Sequence, residues 1–167
     1  MNRLLAAGLQ PLRLRGRELL PIVQGGMGVG ISAHRLASAV AREGAVGTIA
    51  SVDLRHHHAD LMAQCKDVRD RVVLDRLNLI ALDREIRQAK QESEGRGAIA
   101  VNVMKAVDQH AALVRQSCES GADAIVMGAG LPLDLPDMCA DFPAVALIPI
   151  LSDSRGVAIV LRRWLRK

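Results

Sequence analysis

Apolar positions along this chain fall into short unbroken runs, separated by stretches with a helical period. The runs are 21–24, 45–51, 98–104, 124–127 and 145–151. Each is short, rich in Ala, Val and Ile, and apolar at consecutive rather than alternate positions. That is the pattern of strands covered on both sides. Ala33, Leu36, Ala37 and Val40 then recur at i, i+3, i+4 and i+7, which predicts a helix over about 32–43, capped by Ser32 and stopped by Gly44. A longer helical region runs from about 53 to 92 and breaks near Asp70. In its second half Leu79, Leu82, Ile86 and Ala89 share a face, Asp83 and Arg87 form an i,i+4 pair, and Gly95 and Gly97 end it. Asp108 is read as the cap of a third helix carrying Ala111, Val114 and Cys118 and stopping at Gly121. Residues 131–142 read as a loop with a short helix. Ser154 is read as the cap of a last helix with Val157, Val160, Leu161 and Trp164 on one stripe. Residues 1–20 read as an extended lead-in or a hairpin closing one end of a barrel. Pro149, inside the fifth run, needs a place whose N–H the ladder does not use.

Five alternating strand–helix units define an α/β protein with a parallel sheet, one domain over residues 1–167. Two architectures accommodate them. A closed (β/α)8 TIM barrel takes about 250 residues, so this chain would be a partial barrel of about five of eight units. An open doubly wound sheet of five strands would be complete at this length. Length favours the open sheet; the motifs favour the barrel.

Composition narrows the function classes. Trp164 and Phe142 are the only aromatics, so the core is aliphatic and stacking platforms for single-stranded nucleic acid are missing. The net charge of +4 is mild, and four basic residues sit in the last six, Arg162 to Lys167, where a helix C-terminus favours them. Nucleic acid is therefore not the expected partner. Cys65, Cys118 and Cys139 are scattered and free of any CxxC spacing, which speaks against a disulfide framework or a zinc site and for a reducing cytoplasm. No apolar run approaches the roughly 18 residues that span a bilayer, and the first residues read as too short for a secretory signal. His56, His57 and His58 are consecutive and cannot converge on one metal from a helix; they read as a solvated helix start. His34 and His110 read as surface residues.

The stretch Pro21-Ile-Val-Gln24-Gly-Gly-Met27-Gly-Val-Gly30-Ile-Ser32 is a strand, a glycine-rich turn and a helix start, the unit that sets backbone N–H groups around an anionic cofactor. As a dinucleotide fingerprint it is incomplete: Gly26 and Gly28 are in place, but Ile31 stands where the last glycine belongs. The nearest acid after the second strand is Asp53, a little beyond the usual offset of about 20 residues. A nicotinamide-dependent Rossmann protein, with Asp53 on the ribose, stays open as an alternative. Gly25, Gly26 and Gly28 let the backbone approach a flat ring where a Cβ would collide, and Met27 offers a soft apolar surface. Asn102 brings a donor and an acceptor to an otherwise apolar strand. Ser51 and Asn102 fall at strand C-termini, where barrels keep their chemistry. Gly128, Ala129 and Gly130 leave the end of the fourth strand open.

This stretch resembles the first strand and loop of the nitronate monooxygenase family, with flavin enoyl-acyl-carrier-protein reductases as its relatives. The likeness continues through 44–53, 101–104, 121–136 and Ile148-Pro149-Ile150, in family order. It implies an FMN-dependent TIM barrel that oxidises alkyl nitronates, with Gln24, Gly25, Gly26, Met27, Gly28, Ser51, Asn102, Gly128, Ala129 and Gly130 facing the cofactor. In that family the catalytic histidine and the phosphate loops come later than Lys167. No residue here is assigned as catalytic and none as a metal ligand, and the chain is read as the N-terminal part of such an enzyme, with impaired or no activity alone. The alternatives are a flavin enoyl-acyl-carrier-protein reductase-like protein, and a non-catalytic barrel fragment or half of a split barrel. The expected partners are a small-molecule substrate and other copies of the chain through unpaired strand edges, with no membrane.

Overall fold

A computed structural model describes residues 8–166. Two short antiparallel strands come first, β1 (Leu12–Leu14) and β2 (Arg17–Leu19), turning through Arg15 and Gly16 at positive φ. Four parallel strands follow, β3 (Val46–Ala50), β4 (Ala98–Met104), β5 (Ala124–Gly128) and β6 (Ala146–Pro149), side by side in chain order. The strand expected over 21–24 is present as one rung: Val23 bridges Val46, with Gln24 N donating to Val46 O (2.9 Å) and Val46 N to Ile22 O (3.0 Å). The helices are α1 (His34–Arg42), α2 (Ala59–Gln64), α3 (Arg71–Glu92), α4 (His110–Glu119), α5 (Leu135–Met138) and α6 (Ser154–Trp164). A 3-10 turn, Leu54–His57, precedes α2.

The two faces of the sheet bury different partners. Ile49, Ile99, Val101, Val103, Ile125 and Met127 pack against α1, α3 and α4 through Ala37, Ala41, Leu82, Ile86, Ala89, Leu113 and Val114. Among the described residues, the hydrophobic partners of the alternate positions, Val46, Ala98, Ala100, Ala124, Val126 and Ala146, are Ile148 and the hairpin residues Leu12, Leu14 and Leu19. A doubly wound sheet carries helices on both faces and reverses its strand order at a switch point. Here every helix in the packing lies on one face, and the order runs through five staves without reversal. The fold is therefore five consecutive units of a (β/α)8 barrel wall, and the open-sheet alternative falls. The alanines on the concave face suit a narrow barrel interior. Pro149 is tolerated because Ile150 N donates to Met127 O (2.8 Å), so the alternate position faces the open side of β6.

The hairpin closes the N-terminal end of the staves. Arg17 Nη2 donates to Gly97 O (2.5 Å) and Arg17 Nη1 to Asp123 Oδ1 (3.3 Å). Asp123 also receives Lys90 Nζ (2.8 Å) and Ile99 N (2.7 Å). Arg15 Nη2 reaches Val145 O (3.0 Å), and Leu20 N reaches Gly44 O (2.8 Å). Gly44, Gly97, Asp123 and Val145 each stand just before a strand, so one hairpin pins four strand starts. The hairpin reading of the lead-in thus holds for 8–20, while residues 1–7 lie outside the described residues.

Three helix caps differ from expectation. Ala33, not Ser32, occupies the N-cap of α1 and makes no side-chain cap bond. Gln109 takes that place in α4, and Asp108 instead pairs with Arg71 (3.1 Å) at the surface. In α6 the cap is Asp153, whose carboxylate accepts from Gly156 N (2.7 Å). At α6 Asp153 and Ser154 compete for one cap and backbone geometry decides which reaches the free N–H, whereas Ala33 and Gln109 hold the cap position without a side-chain bond. The break before α3 is as expected: Asp70 Oδ1 accepts from Val72 N (2.9 Å). On α6, Val160 is buried, whereas Val157 and Leu161 are half exposed.

Candidate functional site

The strands deliver their C-termini to one rim. Register places Asn102 between Ala50 and Val126, with Ile148 beyond, so it is the polar member of an apolar ring of inward positions. Among the described residues its amide has no hydrogen-bond partner. Thr48, one inward position lower on β3, has a buried Oγ1 that is also unpartnered, and so has Ser51 Oγ. Unpaired buried polar groups are uncommon in native structures and mark places completed by a ligand or water. Above Asn102 stand Met104 and Gly128, paired in register.

The glycine turn is tied down by Ser32. Its Oγ accepts from Met27 N (2.9 Å) and Gln24 Nε2 (2.9 Å) and donates to Gly25 O (3.2 Å), while Ser32 N donates to Met27 O (2.9 Å). Gln24 is consumed by the fold: its Oε1 accepts from Thr48 N (2.9 Å), extending the sparse first-stave ladder, and its Nε2 also meets Gly25 O. The glycines divide by role. A Cβ on Gly26 would stand 2.6 Å from Asn102 Cβ, so this glycine lets the loop sit on the Asn102 side chain. At Gly25 and Gly28 a Cβ would meet nothing within 4 Å. Met27 is 59% exposed at the tip.

On the far side of the rim, Gly128 packs close to Ile150, Ala129 takes a positive φ of 56°, and Gly130 lies over the stem of Lys105. Lys105 Nζ reaches both Asp134 oxygens (2.6 Å each) and His110 Nε2 (3.1 Å). His110 Nδ1 lies 2.8 Å from Val107 O, a pure acceptor, so Nδ1 carries the proton and Nε2 accepts from the ammonium. His110 is thus part-buried and bonded rather than a surface residue. Partial burial would raise the Asp134 carboxyl, but the Lys105 hydrogen bond and charge outweigh it and hold it below the ordinary aspartate value. A depressed carboxyl stabilises the fold above its unfolded pKa, and that contribution is lost as pH falls through the folded value. Lys105→Met is expected to return Asp134 to the ordinary aspartate range in a carboxyl NMR titration; an unmoved Asp134 would refute the latch.

The structure also brings together residues the sequence did not connect. His34 and His58 converge on Glu85, a buried carboxylate of α3: His34 Nδ1 lies 2.7 Å from Oε2 and His58 Nε2 3.1 Å from Oε1. His34 is therefore engaged rather than on the surface. His56 and His57 are exposed, as expected for a solvated turn. Thr48 was legible in principle, since it shares the inward parity of Ala50; Glu85 carried no signal beyond standing on an apolar helix face. Among the described residues no three His, Cys, Asp or Glu side chains are grouped to hold a metal ion, and no helix is long and apolar enough to cross a membrane. Asp53, the acid a Rossmann site would need, is paired with Arg55 and bonded by Asn78 Nδ2 (3.3 Å).

A one-sided ring of β/α units, with its unpaired polar groups at the strand C-termini, defines a barrel of the kind that carries chemistry at that rim. The solved structures of FabK from Thermotoga maritima and of a point mutant of it share this fold, each with a TM-score of 0.62 at 20% identity. The match covers 86% of this chain and 37% and 40% of theirs, so the chain spans about two-fifths of their length. No curated protein matches the chain. The sequence signature of nitronate monooxygenase matches residues 17–165, and the chain belongs to that family.

Proposed function

We propose that this chain forms the ring-binding side of an FMN-dependent nitronate monooxygenase, with Asn102 and the 24–28 loop against the flavin. The observation that carries the reading is the unpartnered Asn102 amide on the rim, beside a loop whose Gly25 and Gly28 present bare backbone to open space. FMN supplies two-electron redox chemistry when bound. The residues of the chain bind and orient it. Asn102 offers one donor and one acceptor to the polar edge of a flat ring, and Met27 and Met104 offer apolar surface. Gly128, Ala129 and Gly130 keep the opposite side of the rim low, and Ser51 and Thr48 supply hydroxyls beneath it. Gln24 serves by bracing the loop. The substrate is a small alkyl nitronate. All three cysteines are free thiols, with Cys118 and Cys139 side by side (Sγ–Sγ 3.8 Å) and not joined as a disulfide, which supports work in a reducing cytoplasm.

Titration of the chain with FMN, followed by quenching of flavin fluorescence, is the test. Binding in the micromolar range is expected, and Asn102→Leu is expected to weaken it about tenfold, the worth of a hydrogen bond to a ring edge. Absent quenching at saturating chain, or an Asn102→Leu variant binding as tightly as wild type, would overturn the reading.

Self-association belongs to the same proposal. Ile22 and Val23 are half exposed on one outer stave, and β6 forms the other edge with Ile150 half exposed. Open parallel edges template pairing. Light scattering should give a mass that rises with concentration; a constant monomer mass would refute it.

A further inference from the structure

We infer that Glu85 is a positioning residue for the cofactor loop: its buried carboxylate clamps the start of α1 and, through Ser32, holds residues 24–28 against Asn102. The inference rests on the flavin reading above. Glu85 is 2% exposed, on a face of α3 otherwise built from Leu77, Asn78, Ala81, Leu82, Ile86 and Ala89. A carboxylate in such a place is costly unless donors meet it. Its Oε2 receives both His34 N (2.7 Å) and His34 Nδ1 (2.7 Å); His58 Nε2 stands 3.1 Å from Oε1 but makes no hydrogen bond to it.

The backbone contact gives the cluster its meaning. Ala33 cannot cap α1 with a side chain, so the first helix N–H would be left without a partner. Glu85 supplies the cap from another helix, 51 residues along the chain, and places a negative charge at the positive end of the α1 dipole. Two residues before His34, Ser32 is fully buried, and its carbonyl accepts from Ala50 N (2.9 Å) while its hydroxyl holds Gly25, Met27 and Gln24. Gly26 then presses on Asn102. A continuous line of contacts therefore runs from Glu85 through the α1 start and Ser32 to the unpartnered amide on the rim. From the same side His57 fills the space over Gly30, where even a Cβ would coincide with the imidazole. A packing residue needs no charge at position 85; a clamp on a helix start does.

Glu85→Gln keeps the shape and removes the charge, and His34→Ala keeps the backbone bond and removes the ring. Three readouts separate a clamp from generic packing: amide hydrogen exchange over 25–32 without added flavin, exchange in β4 and β5, and FMN affinity. Glu85→Gln is expected to speed exchange over 25–32 and to weaken FMN binding, each about tenfold, with β4 and β5 unchanged. His34→Ala is expected to do the same about threefold, and it carries the test if Glu85→Gln does not fold. Unchanged exchange over 25–32 in the folded variant, or loosening spread equally over β4 and β5, would overturn the inference. Wild-type chain that takes up no FMN would instead count against the flavin reading, and loop exchange would still decide the role of Glu85.

Discussion

Gly47→Ala is expected to destabilise the fold by about 3 kcal/mol and to lower the melting temperature by about 9 °C. Gly47 faces the helix side of β3, and a Cβ there would stand 1.9 Å from Ala37 O and 2.7 Å from Ala37 Cα. Both atoms belong to the backbone of α1, which cannot rotate away as a side chain does. Relief requires the helix to lift from the sheet, exposing the buried Ala37 and Ala41. Gly97 presents the same case, with Ala41 O and Ala45 O each 2.3 Å from a Cβ. Thermal melting by circular dichroism checks the prediction, and a Gly47→Ala chain melting within 2 °C of wild type would refute the close approach.

The second large effect concerns the loop. Gly26→Ala is expected to lower FMN affinity about a hundredfold and to lower the melting temperature as well, because the new methyl meets Asn102 Cβ at 2.6 Å and Thr48 Cγ2 at 3.4 Å. Asn102 Cβ is fixed to the strand, so the loop must rise. Gly25→Ala is expected to behave differently. A methyl there meets nothing within 4 Å of protein, so the melting temperature should hold, while FMN affinity falls about tenfold if a ring lies on that backbone. Paired melting and fluorescence titration distinguish the two. Gly25→Ala with unchanged FMN affinity would remove the ring from that side of the loop, and Gly26→Ala with wild-type melting would contradict the seat on Asn102.

How much of this was legible in advance varies with the range of the force involved. Strand positions, the α3 boundary at Asp70 and the hairpin in the lead-in follow from local patterns, since unbroken apolar runs and turn residues act within a few residues of themselves. Cap assignments failed at Ser154 because the adjacent Asp153 offers equivalent local chemistry, and at Ser32 and Asp108 because those side chains are taken by the glycine turn and by Arg71. His34 and His58 were misjudged for another reason: Glu85 is distant from His34 in sequence, and a consecutive His56–His58 run gives no hint that one ring turns inward. Ser32 shows both sides. Its importance at the end of the glycine turn was legible, but its hydroxyl serves the loop rather than the helix.

From residue order alone came the alternation of strand and helix, the aliphatic core, the glycine turn and the polar Asn102 in an apolar strand, because each is written in a period or a composition. Periodicity and length did not decide between barrel and open sheet, although the motifs and their likeness to the nitronate monooxygenase family favoured the barrel that the structure shows. The two share one local pattern and differ in which face each crossover covers, a matter of long-range packing that placed every helix on one side here. The same packing chose Gly26 rather than Gly25 to sit on Asn102, and Glu85 to hold the start of α1, since a contact between distant segments exists only once the sheet has curved and brought them together.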